Sequence, residues 1–157
     1  MKKLFHGTTK TGANSIRKNG INLYVNKGLA DFGHGFYLAT EKAVAENRAI
    51  SMARRDDDNP EVIAFTLDTE GLKVKSYNIG DEWKEQIYNQ RVKGIDNLDY
   101  DVVIGPIADG KIKVLLNGVV SGNITKEDFM NQIVGPITKK KQITIKTEKG
   151  IEHLKEE

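Results

Sequence analysis

The first third of the chain alternates short apolar runs with helical spacing. Lys3 to His6 reads as a strand, and Thr11 can cap a helix whose Ala13 and Ile16 precede an Asn19-Gly20 stop. Residues Tyr24 to Gly35 are rich in glycine and asparagine and have little periodicity, which predicts a loop delivering Phe36-Tyr37-Leu38-Ala39 as a second strand. Thr40 then caps a helix from Glu41 to about Arg54, with Ala45, Ala49 and Met52 at helical spacing. It ends in the solvated turn Arg54-Arg55-Asp56-Asp57-Asp58-Asn59-Pro60.

Further along, Val62 to Leu67 and Leu72 to Tyr77 read as strands, and Asp81 to about Val92 as a helix carrying Trp83, Ile87 and Tyr88. Asp101-Val102-Val103-Ile104-Gly105 is another strand, bounded by Pro106. The segment Lys111 to Val120 fits either a hairpin turned at Asp109-Gly110 or a helix, with helix preferred. Thr125 caps a short helix, Gln142 to Thr147 alternate as a final strand, and Glu148 to Lys155 read as a terminal helix. The expected fold is α+β, a mixed split β-sheet with flanking helices, in one domain spanning 1–157.

Composition narrows the chemistry. At 157 residues, with 38% hydrophobic and 29% charged positions, the chain can build its own core. A formal charge of +2 is too small to indicate nucleic-acid binding through bulk charge. The absence of cysteine excludes disulfides, thiolate nucleophiles and cysteine-ligated metals. His6, His34 and His153 lack zinc-site spacing, so no metal is expected. No apolar run approaches the ~20 residues of a membrane helix, and His6-Gly7-Thr8-Thr9-Lys10 interrupts the N-terminus before a signal h-region could form. The expectation is a soluble cytoplasmic protein without membrane partners.

Two segments concentrate polar and aromatic groups beside glycines at strand edges: Leu4-Phe5-His6-Gly7-Thr8-Thr9 and Asp31-Phe32-Gly33-His34-Gly35-Phe36-Tyr37-Leu38-Ala39-Thr40. In this order they resemble the ADP-ribosyltransferase superfamily, in its His-Tyr branch of diphtheria toxin and the poly(ADP-ribose) polymerases. There, a strand ending in His-Gly-Thr is followed by Phe-Gly-x-Gly-x-Tyr-x-Ala and a helix. The arginine and Ser-Thr-Ser strands of the other large branch are absent. Asp31-Phe32-Gly33 also mimics a kinase magnesium motif, but the chain has no glycine-rich loop with a lysine strand and no His-Arg-Asp loop.

The resemblance implies NAD+ as substrate. Cleavage of its nicotinamide glycosidic bond passes through an oxocarbenium-like state that demands positioning and charge stabilisation more than a strong nucleophile. By resemblance, the Gly7 backbone hydrogen-bonds the carboxamide, Tyr37 stacks on the nicotinamide ring, and His6 binds a ribose hydroxyl of the adenosine half. Thr8, Phe32 and Gly35 of the two motifs are further cofactor-binding candidates, and Asp31, at the edge of the glycine-rich loop over the pocket, is a contact rather than a catalyst. His34 is a further contact from the covering loop. Arg91 is a candidate for the pyrophosphate, because a guanidinium matches phosphate oxygens as a bidentate fork.

The third catalytic position, a glutamate at the start of a late strand in that superfamily, aligns with Gln142. A glutamine can hold a ribose hydroxyl but supplies neither negative charge nor a base. Glu148, Asp99 and Asp101 are competitors for the role. Lys139-Lys140-Lys141 places a basic edge directly before Gln142.

The expected activity is mono-ADP-ribosyl transfer to a macromolecular acceptor, protein or nucleic acid. Small members of the superfamily suggest a toxin with a cognate antitoxin. NAD+ glycohydrolase and an inactive NAD+-binding or interaction module are the alternatives.

Overall fold

The computed structural model describes residues 1–25, 30–96, 99–108, 112–133 and 140–157. In chain order, β1 (Lys2–Thr9) leads into α1 (Lys10–Asn19), β2 (Phe36–Ala39), α2 (Lys42–Asp56), β3 (Pro60–Leu67), β4 (Val74–Ser76) and α3 (Asp81–Arg91). Then follow β5 (Val102–Pro106), α4 (Ile112–Ser121), α5 (Lys126–Gln132), β6 (Lys141–Ile145), α6 (Glu148–Glu152) and β7 (Leu154–Glu156). The strands form one mixed sheet in the order β4-β5-β6-β2-β1-β3-β7, parallel only between β4 and β5. The class is α+β.

Alternation along the inner strands assigns side chains to two cores, one on each face. Leu4, Phe36, Leu38, Ile63, Phe65, Val102, Ile104, Ile143 and Ile145 join Ala13 of α1 in the first. Val103, between Val102 and Ile104, belongs instead to the second, with Phe32, Tyr77, Trp83, Ile87, Tyr88, Leu115 and Phe129 under α3, α4 and α5. Feeding both cores is why β5 is buried along its whole length.

Helix α2 turns Ala45, Ala49 and Ala53 inward. These small residues let its backbone come down onto β1, where a Cβ at Gly7 would overlap the Ala45 carbonyl oxygen. Glycine is required there for close approach.

The ladder is uneven. Strand β1 runs beside β3 from Lys2 opposite Leu67 to Thr9 opposite Pro60. Its register with β2 is the pair Phe5 and Ala39. Beyond that pair, His6, Gly7 and Thr8 lie at the junction between the two halves of the sheet.

Several local expectations shift. Because β1 extends to Thr9, that residue caps α1, its hydroxyl accepting from Gly12 N at 3.0 Å, and Thr11 lies inside the helix. Thr40 does not cap α2; its backbone N–H and hydroxyl both donate to the Lys141 carbonyl, tying β2 to the start of β6, and Glu41 holds the N-cap position without a side-chain bond. Thr125 caps α5 as predicted, and does so in a capping box with Asp128. The terminal helix is shorter than its pattern suggests: α6 ends at Glu152, and Leu154–Glu156 add an edge strand to β3. The ambiguous segment is helical from Ile112 to Ser121, while Asp109, Gly110, Lys111 and Lys139 lie outside the described residues. Among the described residues, no helix is long and apolar enough to cross a membrane.

Candidate functional site

The motif residues of the first two strands meet at the β1–β2 junction. His6 Nδ1 lies 2.7 Å from the Tyr37 carbonyl, and the imidazole stacks on Phe36 with centroids 4.2 Å apart. A carbonyl can only accept, so Nδ1 carries the proton. Burial lowers the His6 pKa; the Tyr37 bond opposes this and the positive charge of Arg48 adds to it. The ring is therefore neutral at pH 7, with Nε2 a lone-pair acceptor.

The Tyr37 phenol is locked beneath the loop that precedes its own strand. Its hydroxyl donates to the Gly33 carbonyl at 2.7 Å and accepts from Phe32 N at 3.0 Å. Burial pushes this phenol well above its ordinary range, so it remains a neutral donor. Phe32 is fully buried, stacked on Tyr77 at 5.7 Å over Gly105, where a Cβ would crowd its ring. Its ring is spent on the core. Thr8 is likewise buried, its hydroxyl against Gly12 of α1, and Gly35 is buried with φ of 148°, a value that favours glycine.

Strand β6 lies beside β2 with Gln142 opposite Ala39 and Thr144 opposite Tyr37. Alternation puts Gln142, Thr144 and Lys146 on the same face of the sheet. Gln142 Nε2 donates to Asp31 Oδ2 at 2.9 Å and to the Pro106 carbonyl at 3.2 Å. Arg91 Nη1 donates to the other oxygen of Asp31 at 2.8 Å, and both side chains of this ion pair are largely buried, 20% and 8% exposed. Three residues from separate parts of the sequence thus form one polar cluster. Arg91 also lines a cleft of about 950 Å³ with Tyr24, His34, Lys93, Asp96 and Leu116; His6, Tyr37 and Gln142 do not line it.

The competitors for the third position have other surroundings. Asp101 accepts from the Thr147 hydroxyl at 2.6 Å and from Lys73 N at 2.9 Å, bonds that hold its pKa below the ordinary carboxylate value. It fastens the end of β6 to the segment before β4. Asp99 is exposed beside Lys73, and Glu148 is exposed in the first turn of α6.

A family model described as protein of unknown function, DUF3990, matches residues 2–155. The chain belongs to the DUF3990 family. A comparison with curated proteins finds no match.

In this DUF3990 protein, Lys146 and Asp96 complete the setting, and the sequence pattern singled out neither. The Lys146 side chain is 1% exposed, and its ammonium donates to the carbonyls of Phe32 at 2.6 Å and His34 at 2.8 Å and to Asp96 Oδ1 at 3.2 Å. Burial lowers its pKa, opposed by the attraction of Asp96. Burial raises Asp96, but the amide and imidazole of His34, with Lys146, outweigh it and leave the carboxyl below its ordinary value. Asp96 Oδ2 meets His34 Nδ1 at 2.5 Å and His34 N at 2.9 Å, while the Tyr24 ring stacks on His34 at 4.9 Å. The loop carrying Asp31 is thereby held from below. The available signal was alternation itself, since it carries Lys146 onto the face that buries Thr144. Among the described residues, no group of three or more His, Asp or Glu side chains is placed to hold a metal ion.

Proposed function

We propose that this chain binds NAD+ at the junction of β1, β2 and β6 and transfers its ADP-ribose to a macromolecular acceptor. The observation that carries the reading is that His6, Tyr37 and Gln142 lie on three adjacent strands, β1, β2 and β6. Gln142 lies opposite Ala39, and His6 is bonded to Tyr37 across the junction. His6 stacks on Phe36 and bonds the Tyr37 carbonyl, while Gln142 and Thr144 lie on β6 beside the strand that carries Tyr37.

Each group has a chemically defined part. His6 Nε2, fixed as an acceptor by the Nδ1 bond, takes a hydrogen bond from a ribose hydroxyl. Tyr37 is held rigid through its hydroxyl and supplies an aromatic wall for nicotinamide. Gln142 accepts from the other ribose, steadying its geometry as the glycosidic bond breaks. Arg91, beside the cleft, keeps guanidinium donors beyond the one on Asp31 for the pyrophosphate.

The test is incubation with NAD+ labelled in its adenylate half, in turn with protein lysate, DNA and RNA, while released nicotinamide is quantified. Label transfer that is lost in His6→Ala and Tyr37→Ala supports transfer. Nicotinamide release without label transfer replaces it with hydrolysis. Calorimetric binding without turnover leaves a binding module, and absence of binding overturns the reading.

A further inference from the structure

We infer that Asp31 is the positioning residue of this site: clamped by Arg91, it holds the Gln142 amide by its nitrogen, so that Oε1 is the atom offered to a hydroxyl donor. The ribose hydroxyl of NAD+ as that donor rests on the function proposed above.

Both groups facing Gln142 Nε2, the Asp31 carboxylate and the Pro106 carbonyl, are pure acceptors. Only the nitrogen end of the amide can face them, which removes the ambiguity of an amide flip. Among the described residues, Gln142 Oε1 accepts no hydrogen bond, and it is left for a ligand. Asp31 cannot swing away, because its second oxygen is held by Arg91 at 2.8 Å and its side chain is 8% exposed.

The same geometry dictates an amide at position 142. A carboxylate there would bring two negative oxygens against Asp31 and the Pro106 carbonyl, both pure acceptors. Gln142 is therefore matched to its surroundings, and a negative charge stands one hydrogen bond behind it, on Asp31. Position 31 thus acts on the ligand through Gln142, without touching it.

Charge exchange tests this in the full-length protein. Three variants are compared: Gln142→Glu, Asp31→Asn and the double exchange Asp31→Asn with Gln142→Glu. With carbon-13 in the new carboxyl group, Gln142→Glu should titrate above the ordinary glutamate value of about 4.3. The double variant should titrate back toward it, since an asparagine can donate to the carboxylate. In the wild type, the Gln142 side-chain amide protons should be protected from hydrogen exchange, and Asp31→Asn should weaken that protection. This second measurement stands if Gln142→Glu does not fold. Ordinary titration in Gln142→Glu, or unchanged amide protection in Asp31→Asn, overturns the inference.

Kinetics supply the functional arm. Asp31→Asn and Gln142→Glu should each lose roughly 100-fold in kcat/KM for NAD+ cleavage, and the double variant should recover most of it. Recovery supports positioning, because a merely structural aspartate would leave the double variant as impaired as the single ones. If the titration and exchange results hold while the wild type neither binds nor cleaves NAD+, the clamp stands and the proposed ligand falls.

Discussion

His6 reaches across the sheet junction to the carbonyl of Tyr37, its Nδ1 2.7 Å from that oxygen. Because burial depresses the His6 pKa in the folded state, protonation favours the unfolded chain. Above the ordinary value of 6.5 both states hold a neutral ring, and the contribution to stability is fully present. It is lost as pH falls below 6.5 toward the folded-state pKa. Urea denaturation between pH 8 and 5 should show this decline, and His6→Gln, whose amide can still donate to Tyr37, should flatten it.

Gly7 faces the α2 backbone, which cannot move aside as a flexible side chain could. Gly7→Ala should cost about 2–3 kcal/mol of stability, measured by denaturant unfolding. An undiminished midpoint would mean that α2 is not seated on β1.

Lys146 satisfies two carbonyls of the loop at 32–34 together with Asp96. Lys146→Met fills similar volume and leaves all three acceptors without their cation, so stability should fall by about 3 kcal/mol. The loop should also exchange its amide protons faster, and Asp31→Asn should not reproduce that effect at His34.

Asp101 separates structural carboxylates from those at the candidate site. Asp101→Asn weakens its bonds to Thr147 and Lys73 and should cost about 1–2 kcal/mol. The Asp101 pKa is lowered on folding, so its contribution is present above the ordinary value of 3.8 and lost as pH falls through the folded value. The NAD+ assays should give the same kcat/KM for this variant as for the wild type.

What could be read from the chain divides by distance along it. Strand β2 and helix α3 were legible because their patterns are local, and Thr125 because its capping box closes within three residues. Thr11 and Thr40 were misplaced as caps because tertiary pairing sets the neighbouring strand ends: β1 runs on to Thr9, and Thr40 turns to Lys141. Leu154–Glu156 becomes a strand only because the edge of β3 is available to it. His6 and Tyr37 stand in the two N-terminal motifs, whereas Gln142 is reached only through resemblance to a late-strand glutamate. The bond from Gln142 to Asp31 spans 111 residues and that from Arg91 spans 60, and no spacing rule encodes such contacts.

The position of β6 has a consequence for synthesis and folding. It is the penultimate strand in sequence, yet it lies between β5 and β2 and is their common neighbour. Until residues 141–145 have been made and inserted, β4 and β5 have no ladder to the strands carrying His6 and Tyr37, and Gln142 is absent from between them. The candidate site therefore cannot assemble before β6 is inserted, through contacts of high sequence separation. A nascent chain that has already displayed both of its N-terminal motifs holds no complete site.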